Sequence, residues 1–355
     1  MNTIGNALKL TVFGESHSAA IGCVIDGLPA GFKMDLDAIR FELKRRAPRS
    51  SAESTERNED DDFEILSGLL SGRTTGSALA VVFRNKDARS GDYAFDFARP
   101  SHADLPAFIK YRGYNDRRGG GAFSGRLTAT TVFAGAVCKQ LLNKKGIEIF
   151  SHIASVGSIA DESFDPLMKE KPMLDPMFPL LDTGLRDRMT WLFTELRESG
   201  DSTGGTVECA VLGMPAGIGE PLFGSLESAI SNIVFAVPGV HAIEFGAGFA
   251  LSGMLGSEAN DPILESGRTL TNNSGGVNGG LSNGMPLIFR AAFRPVPSIA
   301  RPQRSVTLST LEECEAVILG RHDACILPRG CAVIEAAAAV AVYDLLLMNR
   351  GTYGE

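Results

Sequence analysis

The chain has 355 residues, 44% hydrophobic and 21% charged, which fits a water-soluble globular protein and excludes a disordered or low-complexity chain. Its 42 acids against 34 Lys and Arg leave a formal net charge of −8; with few aromatics and no binding module, this makes nucleic acid a minor reading. The six cysteines, Cys23, Cys138, Cys209, Cys314, Cys325 and Cys331, show no C-x-x-C spacing, which argues against a zinc cluster or disulfide framework and for a reducing, cytoplasmic setting.

The N-terminal run MNTIGNALKLTVFGESH lacks a basic region followed by a long apolar stretch, so no signal peptide is expected. Residues 7–13 and 20–26 read as strands around the GESH turn. Asp35 opens a helix with Leu36, Ile39 and Leu43 on one face, and Pro48 ends it. Residues 49–62 are polar and read as a loop, with the acidic run Glu59–Asp62 as a solvated face without a role. Residues 63–84 read as strands punctuated by Gly68, Gly72 and Gly76. A buried helix is expected from about Ser124 to Lys145, stopped by Gly146. Residues 147–157 look like a strand and 160–180 like an excursion. Residues 184–198 form an amphipathic helix with Leu185, Met189, Leu192, Phe193 and Leu196 facing inward. Ser309 and Glu312 make a capping box for a helix beginning there. The apolar run from Cys331 to Met348 is interrupted by Glu335 and Asp344, and is a core helix rather than a membrane span.

The opening pattern returns later. Gly14-Glu15-Ser16-His17, Cys23 and Gly27 align with Gly200-Asp201-Ser202-Thr203, Cys209 and Gly213 at an offset of 186 (200 minus 14). Gly68, Gly72 and Gly76 align with Gly276, Gly280 and Gly284 at an offset of 208 (276 minus 68). With no linker between them, the halves, about 1–150 and 195–355, read as one pseudo-symmetric domain.

The densest chemistry lies between Arg99 and Thr131, where His102, Lys110, Arg112, Arg117, Arg118 and Arg126 surround three successive glycines. A Gly-rich turn entering a helix offers unpartnered N–H groups to an anion. Of five histidines, His17, His102 and His322 sit in polar turns and can exchange protons near neutral pH, whereas His152 sits in a strand and reads as structural. No HExxH or paired-carboxylate spacing points to a metal, GESHS lacks the G-x-S-x-G of a serine hydrolase, and the RRGGG run lacks the preceding strand of a dinucleotide fold. Three arginine groups remain: Arg45, Arg46, Arg49 and Arg57; Arg112, Arg117, Arg118 and Arg126; and Arg294, Arg301, Arg304, Arg321 and Arg329. If they converge, the ligand carries several negative charges.

GESH at 14–17, RRxP at 45–48, ERNEDDDFEILSGLLSGRTTG at 56–76, RPSHAD at 99–104, RRGGGxxSGRxTA at 117–129, DSTGG at 201–205, EFGAGF at 244–249, SGGVNGGLSNG at 274–284 and RHDACILPR at 321–329 together resemble the chorismate synthase family. They stand in the family's order across nearly the whole chain. The resemblance implies an α+β fold, a β-α-β sandwich of two antiparallel sheets flanking a central helical layer with an internal pseudo-twofold, assembled as a homotetramer in the cytoplasm with no membrane contact. It implies a shikimate-pathway lyase that converts 5-enolpyruvylshikimate 3-phosphate to chorismate by 1,4-anti elimination, with reduced FMN as cofactor and no net redox change.

Carried over residue by residue, the family's catalytic roles fall on His17 (phosphate loss), His102 (reduced flavin, near N1) and Asp323 (removal of the C6 proton with flavin N5). Substrate contacts fall on Arg46, Arg49 and Arg126, and flavin contacts on Ser124, Gly239, Gly279, Arg294, Ser298 and Arg321. No nicotinamide motif is visible, so an external flavin reductase is favoured over direct reduction by NADPH. The chain departs from the family pattern at Ser18 and Ser101 (usually glycine), Ala52 (arginine), Ala122 and Phe123 (arginine and serine), and His241 and Arg294 (lysine). Those changes motivate the alternative of a diverged paralogue that binds flavin or an anion without this reaction.

Overall fold

The computed structural model describes residues 1–48, 61–85, 96–318 and 323–353. β1 (Thr3–Ile4), β2 (Lys9–Gly14) and β3 (Ala20–Asp26) pair antiparallel, with Val12 opposite Cys23. Leu10, Ile21, Cys23 and Ile25 supply their buried face. α1 (Leu36–Arg46) starts where the Asp35 carboxylate accepts the N–H groups of Asp37 and Ala38. Its last turn carries Lys44, Arg45 and Arg46, the favourable end of the helix dipole for cations. β4 (Glu64–Ser67), the hairpin β5 (Leu69–Leu70) and β6 (Arg73–Thr74), and β7 (Leu79–Arg84) follow, and β4 and β7 complete a five-stranded sheet of order β1-β2-β3-β7-β4.

After α2 (Asp104–Lys110) and α3 (Thr128–Asn143), the second half lays down β8 (Glu148–Val156), β9 (Ile159–Ala160), α4 (Arg186–Glu198), β10 (Gly205–Leu212), α5 (Leu226–Val234) and β11 (Val240–Phe245). α6 (Gly256–Ala259), the hairpin β12 (Val277–Asn278) and β13 (Leu281–Ser282), and β14 (Leu287–Phe293) follow. The second sheet has the order β9-β8-β10-β14-β11. Its central strand β10 carries Cys209 opposite Phe289, as β3 carries Cys23 opposite Val81. The repeat offset of 186 therefore falls on the central strands, and the offset of 208 on the two glycine hairpins and the strands after them.

Two more elements close the chain. The helix expected from Ser309 is instead a hairpin of β15 (Gln303–Val306) and β16 (Glu313–Ala316). Ser309 donates its hydroxyl to Asp96 and does not cap a helix, Leu311 takes a φ of +61°, and Glu312 accepts from Thr310. α7 (Leu327–Tyr353) then packs against α1, α3 and α5 and against β8 and β10, while α3 covers β2 and β3.

By length and composition α7 could cross a membrane, but 89% of its most apolar window is buried inside the protein, as a core helix requires. Its two acids are both satisfied there. Asp344 accepts the backbone N–H groups of Asn6, Ala7 and Leu8. Glu335 takes a bidentate pair from Arg45 at 2.6 and 2.7 Å, Lys139 at 2.7 Å and the Ser151 hydroxyl at 2.8 Å. Glu42 closes the same network through Arg45 and Lys139.

The excursion at 160–180 packs Phe164 and Met168 on the other face of the second sheet, against Phe150, Ala210, Leu212 and Ile288. His152 pins it: Nδ1 lies 3.2 Å from Asp161 and Nε2 3.0 Å from Glu208, all buried. The histidine is structural, matching its position in a strand.

Candidate active site

The loop between β2 and β3 docks onto the triple glycine. Ser16 N–H donates to the Gly121 carbonyl at 3.2 Å, and the Ser16 hydroxyl donates to the Arg118 carbonyl at 3.0 Å. Its one proton being committed there, the hydroxyl accepts from His17 Nδ1 at 3.3 Å. Ser18 braces the turn by bonding to the Glu15 and Ala20 carbonyls.

Gly119, Gly120 and Gly121 adopt φ of +60°, +95° and +53°, a run that residues with side chains rarely take. A Cβ at Gly119 would fall 2.2 Å from His17 Cε1, and one at Gly120 would lie 3.4 Å from His102 Nε2. The glycine loop thus packs its backbone against both histidines. Ser124 ends it by accepting the Arg126 N–H, which starts the turn leading into α3.

Behind the loop, Asp61 binds two arginines at once. Arg46 Nε is 3.2 Å away, and Arg126 makes a second, short contact. Asp61 is buried, so the reading of the acidic run as a solvated face is corrected at this position; Glu59 and Asp60 lie outside the described residues. The Arg46 guanidinium also donates to the Arg126 carbonyl at 3.3 Å, locking the two cations side by side.

A cavity of about 610 Å³ opens between this cluster and the second half of the chain. Its lining mixes polar residues, Arg46, Arg99, His102, Arg126, Arg294, Asp323 and Arg329, with apolar ones, Phe235, Val237, Val240, Phe293, Ile326 and Val333. Gly239, at a φ of +93°, lets two of the apolar residues close in: a Cβ there would sit 3.2 Å from Ile326 Cδ1 and 3.5 Å from Phe293. Arg294 reaches across from the end of β14 and donates to the Ser101 carbonyl at 2.6 Å, tying the two halves together beside His102. Asp323 pairs with Arg329 at the start of α7.

Of the residues singled out in the sequence, Arg46, His102, Ser124, Arg126, Gly239, Arg294, Ser298 and Asp323 line this cavity. His17 lies behind it, against the lining residue Gly119. Gly279 sits in the β12–β13 turn and is not among the lining residues. Arg49, Arg321, His322 and Ala52 lie outside the described residues.

The arginine groups converge only in part. Arg45 serves the core network, Arg117 and Arg118 pair with Asp96 and Asp116, and Arg301 pairs with Asp201. Asp61, Arg99 and Asp104 had no assigned role from the sequence, and Arg329, which also lines the cavity, was named only as one of an arginine group. The H-x-D spacing of His102 and Asp104 was the one local signal among them. Ser101, Ala122, Phe123, His241 and Arg294, five departures from the family pattern, all face the cavity.

The sequence model of the family described as chorismate synthase matches residues 8–347. The chorismate synthase of Thermococcus kodakarensis is 42% identical over 356 residues, covering 99% of each chain. That of Methanocella arvoryzae is 44% identical over 352 residues, covering 98% of this chain and 94% of the relative. A crystal structure of a chorismate synthase superposes with a TM-score of 0.73 at 28% identity, covering 98% of this chain and 94% of the other.

Proposed function

The chain belongs to the chorismate synthase family, and on that premise we propose that it converts 5-enolpyruvylshikimate 3-phosphate to chorismate and phosphate by 1,4-anti elimination, with reduced FMN bound in the cavity. The observation that carries this reading is the composition of the cavity. It gathers arginines suited to a phosphate and two carboxylates, with a histidine and an aspartate among them, together with apolar residues and Gly239 of the kind a flat ring system needs. The residues present therefore fit reduced FMN, with Ser124, Gly239, Arg294 and Ser298 as its contacts within the cavity.

In the reaction the C3–O and C6–H bonds break, a ring C=C forms and phosphate leaves. When bound, reduced FMN would supply electron density for cleavage of the C–O bond without being consumed, chemistry that suits a redox cofactor in a reaction without net redox change. Arg46 and Arg126, both anchored by Asp61, bind the anionic groups and oppose charge growing on the departing phosphate. His17, packed against the lining residue Gly119, takes the role of holding the proton for that group. His102 holds a proton at the cavity wall, and Asp323 accepts the C6 proton at its carboxylate once the ligand has drawn Arg329 towards its own charge.

The same reading takes the two sheets and the helices between them as a β-α-β sandwich with an internal pseudo-twofold, supported by their matching strand orders. It also includes a homotetrameric, cytoplasmic enzyme supplied by an external flavin reductase.

Anaerobic phosphate release with dithionite-reduced FMN tests the reaction, run beside His17→Ala and His102→Ala. Release by the parent with large losses in both variants is the expected outcome. A folded, FMN-binding parent without release would replace this reading with the paralogue, in which Ala122 and Phe123 have cost the substrate its site.

A further inference from the structure

We infer that Asp104 is a positioning residue for His102, fixing its imidazole in the Nδ1–H form and leaving Nε2 as the nitrogen that exchanges a proton. The inference rests on the proposed reaction for its kinetic meaning, and on bond geometry for its structural content.

Asp104 is buried at the start of α2. Each of its oxygens accepts two hydrogen bonds. Oδ2 takes Arg99 Nε at 2.7 Å and the Arg99 backbone N–H at 3.0 Å. Oδ1 takes Arg99 Nη2 at 2.8 Å and His102 Nδ1 at 2.8 Å. An ionised carboxylate has about four such acceptor sites and no proton to give, so the set is full and its donors are defined. Burial pushes the Asp104 carboxyl up, but the hydrogen bonds from Arg99 and His102 reverse this and hold it well below the usual carboxylate range.

Since Asp104 cannot donate, the proton in its bond to His102 belongs to the imidazole, on Nδ1. The opposite tautomer would set two lone pairs against each other at 2.8 Å. Nε2 is then the nitrogen that gains or loses a proton, on a residue that lines the cavity and packs against Gly120. Arg294 fixes the loop from the other side through the Ser101 carbonyl, so the ring is held at both its backbone and its far edge. Arg99 acts one step further back, keeping the buried carboxylate anionic, which is what makes the carboxylate an orienter.

Long-range nitrogen–proton correlation spectra of the 15N-histidine-labelled protein, at a pH where the ring is neutral, read the tautomer directly and need no turnover. A protonated Nδ1 and bare Nε2 on His102 are expected, assigned by loss of the signal in His102→Ala. A protonated Nε2 would overturn the inference. Kinetics supply the second reading. Asp104→Asn should lower kcat at least about tenfold with little change in KM, and should cost nothing further in a His102→Ala background. Equal losses in both backgrounds would mean a general structural role and would also overturn it. Should Asp104→Asn fail to fold because Arg99 loses its carboxylate, the spectrum of the unsubstituted protein still decides. A parent with the Nδ1–H tautomer but no phosphate release would uphold the positioning and reject the assigned reaction.

Discussion

Gly135 on α3 rests directly on Ala336 on α7: a Cβ at 135 would lie 2.3 Å from both Cα and Cβ of Ala336. The two helices cross there at backbone distance, and neither can retreat without opening the core on its far side. Gly135→Ala should therefore destabilise the fold by about 1–3 kcal/mol, the usual range for overpacking. Denaturant midpoints measure it. Ala336→Gly in the same chain should recover part of the loss, whereas an undiminished midpoint in Gly135→Ala would show that the crossing has slack.

Glu335 governs the acid side of stability. Burial raises its carboxyl, but the charges of Lys139 and Arg45 and their hydrogen bonds outweigh this and hold it well below the usual range. A carboxyl depressed in the folded state contributes stability that is fully present above its unfolded value, about 4.3, and is lost as pH falls below it. Glu335→Gln should lower the melting temperature at pH 7 and flatten the fall in stability below about pH 4. The loss at pH 7 should reach about 3 kcal/mol, because two buried cations then share the single carboxylate of Glu42. Unfolding curves across pH 2–7 would reveal both effects.

Asp61 should act on binding more than on the chemical step. Its carboxylate is the shared anchor for Arg46 and Arg126. Asp61→Asn removes the charge while nearly keeping the shape, so the two guanidinium groups repel and spread. The expected result is a KM raised about tenfold, or about 1.4 kcal/mol, with a smaller change in kcat. Steady-state kinetics under reducing conditions separate the two; an unchanged KM would remove these arginines from substrate binding.

The two glycines that touch histidines should respond unequally. Gly119→Ala places a methyl inside the His17 ring, whereas at Gly120 the nearest atom of His102 is 3.4 Å away. Both substitutions carry the cost of a positive φ, about 1–2 kcal/mol. The extra displacement at 119 should lower kcat about a hundredfold, as angstrom-scale misplacement of a reacting group does. Gly120→Ala should lower it much less. Equal losses would mean that loop strain, and not contact with His17, sets the effect.

Much of the fold could be read from local signals. Asp35 followed by an apolar stripe marks α1, and the Ala- and Val-rich run with two acids marks a buried α7. The expected helix at Ser309 had an equally good local signal and failed, because β15–β16 pairing and the reach of Ser309 to Asp96 are long-range competitors invisible in a window of ten residues. α5 carries a Ser225 cap and apolar Leu226, Ile230 and Ile233, but at nine residues its periodicity barely completes two turns.

The site divides in the same way. Histidines in polar turns and arginines near glycine are conspicuous by composition. Asp61 is not, since its partner Arg126 lies 65 positions away and it stands in a run of like acids. Burial, and not residue type, distinguishes it from Asp62.

α7 follows in the chain every strand and helix that it covers. Until it arrives, α3 has no surface for Gly135, Arg45 and Lys139 have no Glu335, and the backbone of residues 6–8 has no Asp344. A nascent chain therefore holds β8 and β10 without their covering helix until the end of its synthesis, and the sequence-distant docking of α7 completes the core. That order makes exposure to aggregation during production a property of the topology itself.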